Sequence, residues 1–164
     1  MSKTIQKAMP AGRQGFTLLE LLVVIGILGI LLAIVLVAIN PAAQFAQANN
    51  TARTNDVNTI LNAVHQYAAD NRGNLTALGL TATPTEISSA GADICAILVP
   101  DYVSLFPVDP DTNNGVALPE TDCEPADTYG TSYNISQDTA GRITVSAPDA
   151  EAVRGVTPVI SVTR

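Results

Sequence analysis

The feature that most constrains this chain is an unbroken apolar run near its N-terminus. Residues 21–39 contain no charged or polar side chain, and the run begins directly after a single carboxylate, Glu20. A helix of this length covers roughly 28 Å, about the thickness of the hydrocarbon core of a bilayer. The sequence therefore predicts a membrane-spanning helix, which restricts the chain to folds in which this helix lies outside the water-soluble core.

Glu20 is unusual because it lies at the edge of this run. A carboxylate that faces lipid costs on the order of a few kcal/mol unless a cation neutralises it. Between Gly15 and Arg53 the sequence has no basic residue. Cleavage of the peptide bond between Gly15 and Phe16 would create an α-amino group one helical turn before Glu20 and would supply the missing positive charge.

The chain reads Gly15, then Phe16-Thr17-Leu18-Leu19-Glu20, and then the apolar run. This pattern resembles the class III signal of type IV prepilins and of the pseudopilins of type II secretion. The resemblance implies that prepilin peptidase cleaves after Gly15 on the cytoplasmic side and that Phe16 becomes N-methylated. It also implies that Glu20 pairs with the N-terminal amine of a neighbouring subunit during filament assembly. The alternative is an ordinary signal anchor whose glutamate lies near the membrane interface by chance.

The expected organisation has four parts. Residues 1–15 form a basic leader that is cleaved, residues 16–40 a hydrophobic transmembrane and assembly helix, and residues 41–72 its amphipathic second half. Residues 73–164 form a globular exported head with a loop region and a β-hairpin. The expected fold class is α+β, in which the long N-terminal helix packs on a small antiparallel β-sheet as in pilins. Pro41 predicts a kink or an opened segment in the helix.

The charge distribution predicts the orientation in the membrane. The only basic residues before the apolar run are Lys3, Lys7 and Arg13, so the positive-inside bias places the N-terminus in the cytoplasm. We therefore expect a single-pass protein of the inner (cytoplasmic) membrane that later enters an extracellular or periplasmic filament. Removal of the leader would leave five basic and fifteen acidic residues, a net charge of −10. Such a surface repels phosphate backbones, and no nucleic-acid partner is expected.

The exported part shows a helix pattern followed by a strand pattern. Apolar residues recur at helical spacing and predict one buried face, formed by Val57, Ile60, Leu61, Val64, Tyr67 and Ala68. Gly73 suits the C-terminal cap of this helix, and the single histidine, His65, is expected to be partly exposed. A brief helix is predicted over residues 93–99, with Asp93 as its N-cap.

Alternating apolar residues then predict a hairpin from residues 133–136 and 143–147, with a turn that ends at Gly141. Residues 157–162 are a candidate third strand. The apolar face of this hairpin is expected to cover the buried face of the amphipathic helix.

Two groups of residues are candidate sites in the head. Cys95 and Cys123 predict one disulfide, worth about 3–4 kcal/mol by loop closure, although a redox or metal role is the alternative. Asp109, Asp111 and Asn113 alternate before a glycine, a pattern that suits a hard cation such as calcium. The hairpin run, residues 133–147, resembles the hairpin of major pseudopilins, which often bind calcium in a loop before it; here that loop holds further acidic residues at positions 120–127. A solvated acidic turn is the simpler interpretation.

The sequence contains no phosphate-binding loop, no nucleophile with a plausible base and no metal-ligand spacing of Cys or His, so an enzyme is not expected. Three hypotheses remain: a subunit of a type IV pilus-like filament, a pseudopilin of a type II secretion or DNA-uptake machine, and a single-pass membrane-anchored binding protein. The first two imply as partners other copies of the chain, prepilin peptidase, the membrane, and the inner-membrane assembly machinery of a pilus or secretion system.

Overall fold

The computed structural model describes residues 15–124 and 128–164. The chain divides into two compact units, Met1–Asn40 and Pro41–Arg164. Within the first unit the described residues are 15–40. Most of the predicted leader, residues 1–14, and Asp127 of the predicted acidic loop lie outside the described residues.

The first unit contains one helix, α1, which spans Leu18–Ile39. Thr17 is its N-cap, and Asn40 ends it in the left-handed conformation with φ 46°. None of its residues is buried, and by length and composition the helix is able to cross a membrane. The predicted apolar helix is therefore present, and its side chains have no protein core to pack into within this unit.

The second unit begins with α2, which spans Pro41–Asp70. The predicted break at Pro41 is confirmed, because α1 ends at Ile39 and Pro41 is the first residue of the next helix. Proline is well accommodated there, since the first residues of a helix have no intrahelical acceptor for their N–H groups. At the other end Gly73 is left-handed as predicted, with φ 82°, and its N–H donates to the carbonyl of Ala68 at 2.7 Å, but Arg72 before it is also left-handed, with φ 56°.

The predicted buried face of α2 agrees largely with the structure. Val57, Ile60, Leu61 and Val64 are fully buried, whereas Tyr67 and Ala68 are only half-buried, and Ala63 joins the core. This face of α2 packs against the last two of the four β-strands that follow it in the chain.

The sheet has four antiparallel strands in sequential order. The strands are β1 (Thr85–Ser88), β2 (Gly130–Gln137), β3 (Ile143–Ala147) and β4 (Ile160–Thr163). The predicted hairpin is confirmed as β2 and β3, in which Ile135 lies opposite Val145. The predicted third strand is present as β4, although it is shorter than expected. β1 falls in the region expected to form loops and was not predicted.

The region between β1 and β2 consists of loops with short helical elements. It contains α3 (Cys95–Leu98) and two 3₁₀ turns, Asn113–Gly115 and Glu120–Asp122. The brief helix predicted within residues 93–99 is present as α3, but the prediction that Asp93 is its N-cap is wrong. Ile94 occupies the N-cap position, and Asp93 instead accepts a 2.7 Å hydrogen bond from the hydroxyl of Tyr129. A distant side chain therefore outcompetes the local capping interaction.

Candidate functional site

The N-terminus of α1 carries the residues singled out for processing and assembly. Thr17 and Glu20 form a capping box: the Thr17 hydroxyl accepts from the Glu20 N–H at 3.2 Å, and the Glu20 carboxylate accepts from the Thr17 N–H at 3.0 Å. The Thr17 hydroxyl also donates to the same carboxylate oxygen, Oε2, at 2.9 Å. Glu20 therefore has a local role that the sequence interpretation did not include, because its carboxylate accepts from the N–H of the N-cap residue, Thr17.

The predicted cleavage point lies immediately before this capping box. Gly15 and Phe16 precede the helix, and the Phe16 side chain is 82 % exposed. An exposed peptide bond outside the helix is accessible to a peptidase, whereas a bond within the helix is held by intrahelical hydrogen bonds. The local structure at Gly15 and Phe16 is thus compatible with cleavage, and cleavage itself stays a prediction.

A buried arginine is the main polar feature of the second unit, and sequence reasoning missed it. Arg53 is fully buried on α2, where its Nε and Nη2 atoms donate to the two carboxylate oxygens of Asp109 at 2.7 and 2.9 Å. Asp109 is itself fully buried. Nη2 also donates to Asp111 at 2.8 Å, and Nη1 donates to Glu151 at 2.9 Å. One guanidinium thus binds three carboxylates, and we call these four residues the arginine cluster.

Backbone contacts fix the arginine cluster in place. The Asp109 N–H donates to the carbonyl of Thr131 on β2 at 3.0 Å. Asn50, one turn before Arg53, donates to the carbonyl of Glu151 at 2.8 Å and accepts from its N–H at 2.9 Å. The cluster therefore joins α2, the loop before β2 and the loop after β3. Removing one partner of a buried ion pair costs roughly 3–5 kcal/mol, because the other charge is left buried without compensation.

The electrostatics of the arginine cluster favour its charged state. Hydrogen bonding to Asp109 is the largest effect on Arg53 and raises its pKa further above the ordinary value, against the opposing effect of burial. The pKa of Glu151 is lowered, first by a hydrogen bond from Asn49 and then by the bond from Arg53. Both shifts stabilise the ionised forms of Arg53 and Glu151.

A second polar pair, between buried Tyr133 and half-buried Asp56, lies one turn further along α2. The hydroxyl of Tyr133 donates to Asp56 at 2.7 Å. Burial raises the pKa of Asp56, and the hydrogen bond from Tyr133 partly offsets that rise. The pKa of Tyr133 is also raised, mainly by burial and then by its bond to Asp56. This bond ties β2 to α2 on the side of the helix that faces the sheet.

The residues predicted as a calcium site do not come together as one. Asp109 and Asp111 bind Arg53, and Asn113 is exposed, with its side-chain amide donating to the carbonyl of Val116 at 3.4 Å. Calcium takes six to eight oxygen ligands, and a guanidinium already occupies these two carboxylates. No group of three His, Cys, Asp or Glu residues suited to a metal occurs within residues 15–124 and 128–164. The donor set at residues 109–113 therefore does not fit a calcium ion.

The predicted disulfide is present. Cys95 and Cys123 are joined, with their Cα atoms 5.3 Å apart, and the bond connects α3 to the end of the second 3₁₀ turn. Both cysteines are buried, which agrees with a structural role. His65 is half-buried as expected, and its Nε2 atom is buried without a hydrogen-bond partner among the residues described here.

Comparison with known proteins identifies the N-terminal segment. Residues 10–36 match the family model described as the prokaryotic N-terminal methylation motif. The matched range includes Gly15, Phe16 and Glu20, which are the residues singled out from the sequence. No curated protein and no solved structure gave a match. The match covers the start of the chain and does not extend into the second unit.

Proposed function

We propose, from the class III signal of type IV pilins and pseudopilins that residues 10–36 carry, that this chain is the structural subunit of a type IV pilus-like filament. It enters the inner membrane as a prepilin through α1, is cleaved after Gly15 by prepilin peptidase and is N-methylated at Phe16. The subunits then polymerise through α1. The observation that carries this proposal is the match of residues 10–36 to the N-terminal methylation motif, which continues into an apolar helix with no buried residue.

The exposure of α1 supports polymerisation. A helix that is apolar on every side is stable in lipid or among other apolar helices, but not in water. Moving from the membrane into a filament keeps such a helix out of water. Gly26 and Gly29 leave open space on its surface, and small residues of this kind allow neighbouring helices to approach closely.

Glu20 supplies the specificity that apolar packing lacks. Contacts among leucine, isoleucine and valine side chains change little when one helix slides along another. A pair between Glu20 of one subunit and the amine at Phe16 of the next forms at one axial position only. Because an unpaired buried charge is costly, this pair selects the register of the filament.

The second unit fits the exported part of such a subunit. Its disulfide is typical of proteins that fold in an oxidising compartment, and its acidic surface keeps an exported domain soluble. In this proposal the N-terminus faces the cytoplasm and the second unit lies outside the inner membrane, with the pilus assembly machinery as a further partner. The role is structural and requires no catalytic centre. A pseudopilin of a secretion or DNA-uptake machine would carry the same signal and use the same chemistry.

The intact mass of the purified protein tests the proposal. We expect a species that begins at Phe16 and carries one added methyl group, and we expect it in filaments sheared from cells. A mature protein that begins at Met1 or Ser2 would refute cleavage and favour a membrane-anchored binding protein. A cleaved protein found only in the membrane or periplasm, and never in surface filaments, would favour a pseudopilin.

A further inference from the structure

We infer that the Arg53 guanidinium is the resident cation of the acidic site formed by Asp109, Asp111 and Glu151, so that the second unit keeps its fold without a metal ion at this site. The sequence pattern at residues 109–113 suits a hard cation. In the structure a cation is present there, and it is a side chain of the same polypeptide.

The geometry matches a guanidinium better than a metal. The planar fork of arginine presents its N–H donors at fixed positions, and two of them bind the two oxygens of one carboxylate side by side. Arg53 does this with Asp109, and its other donors bind Asp111 at 2.8 Å, Glu151 at 2.9 Å and the side-chain oxygen of Asn50 at 3.1 Å. All three nitrogen atoms of the guanidinium are therefore used within the arginine cluster.

The burial of the three carboxylates shows which contact with Arg53 contributes most to the stability of the second unit. The side chains of Arg53 and Asp109 are 0 % exposed, whereas those of Glu151 and Asp111 are 33 % and 63 % exposed. Asp109 without a cation would be a buried, uncompensated charge, since water does not reach it. Asp111 and Glu151 are open to solvent on one side, so a small ion has access to the site once the arginine side chain is removed.

This assignment has a consequence for the exported domain. A subunit that depends on calcium folds only where the ion is available, and its stability follows the ion concentration. A subunit with a covalently attached cation carries the charge wherever it folds. We therefore expect the stability of the second unit to be the same in the presence of calcium and of a chelator.

The test uses the full-length protein in detergent micelles. All four tyrosines of the chain lie in the second unit, so near-ultraviolet circular dichroism of tyrosine follows its unfolding. The wild-type midpoint is expected to be unchanged between a calcium chelator and millimolar calcium. Loss of the cooperative transition in the chelator would overturn the inference.

Arg53→Met removes the charge but keeps an unbranched side chain of comparable length. In the chelator we expect the folding equilibrium constant to fall by about a hundredfold to a thousandfold, as for a broken buried ion pair. Neither calcium nor sodium chloride of equal ionic strength should restore this loss, because no group of three acidic residues in the described part of the chain is suited to a metal. Wild-type stability of Arg53→Met, or restoration of its stability by calcium but not by sodium chloride, would overturn the assignment.

Two further variants control the measurement. Arg154→Met removes an exposed arginine from the same unit and should leave the midpoint unchanged with and without calcium. If Arg53→Met does not fold, Arg53→Lys keeps one charge without the planar fork and should be intermediate; wild-type stability of the lysine variant would overturn the role of the fork. These readouts do not involve cleavage or filament assembly, so they succeed or fail independently of the proposed function.

Discussion

Glu20 has two possible roles, a local capping contact and a pair across the subunit boundary, and substitutions at Glu20 and Thr17 separate them. The capping box is visible in the structure, where Glu20 accepts from the Thr17 N–H at 3.0 Å. Cleavage after Gly15 leaves this N–H intact, because the new amine belongs to Phe16. The mature subunit therefore keeps the capping box while it gains the positive charge that Glu20 is proposed to bind in a neighbour.

The magnitudes of the two roles differ. Loss of a helix N-cap costs about 1 kcal/mol, roughly fivefold in an equilibrium constant. That cost applies to the helix in the membrane and in the filament alike, so it largely cancels in assembly. An unpaired buried charge costs roughly 3–5 kcal/mol, more than a hundredfold, and it appears only in the filament. Thr17→Ala should therefore assemble close to the wild-type level, whereas Glu20→Ala should assemble poorly or not at all.

Glu20→Gln is the sharpest variant, because glutamine also serves as the third residue of a capping box but carries no charge. We expect Glu20→Gln to be cleaved and inserted normally and to assemble nearly as poorly as Glu20→Ala. Glu20→Asp keeps the charge with a shorter reach and should be intermediate.

The assay is the yield of sheared surface filaments at matched levels of cleaved subunit in the membrane. Wild-type yield from Glu20→Gln would refute the charge pair. Equal defects in Thr17→Ala and Glu20→Ala would show that the capping box accounts for the whole effect.

Three further predictions concern processing, the disulfide and pH. Gly15→Leu should block cleavage, so that the membrane holds only a slower-migrating precursor on a gel; normal cleavage would contradict the class III assignment. Thiol labelling without reduction should add no mass to the protein, because Cys95 and Cys123 are joined. Reduction should destabilise the fold by about 3–4 kcal/mol. Labelling of both thiols without reduction would show that this disulfide does not form. The pKa of Glu151 is lowered from 4.5, so its contribution to stability is complete above pH 4.5 and is lost as pH falls through the lower folded-state pKa. Glu151→Gln should be less stable than wild type at pH 7 and should lose less on acidification, as measured by chemical denaturation; an unchanged acid profile would contradict the role of Glu151.

The sequence by itself determined the parts of this protein that depend on near neighbours. The unbroken apolar run specifies α1 because each of its residues favours the same environment, and Pro41 specifies the break because it has no N–H to donate. The alternation around residues 133–147 specifies the β2–β3 hairpin because successive side chains of a strand face opposite sides of the sheet. The two cysteines of the chain leave one intrachain pairing, and the structure contains it.

Only the tertiary structure decided how the polar residues are used. Arg53 meets partners 56 and 98 positions away in the chain, so no local pattern marks it as the centre of a buried cluster. Asp109 and Asp111 had the spacing of a cation site, but the identity of the cation depended on where α2 lies against the loop before β2. Asp93 was free in sequence terms to cap α3, and it binds Tyr129 instead. The physical reason is common to all three: periodicity and capping rules act within a few residues, whereas the partner of a buried charge is set by the packing of the whole unit.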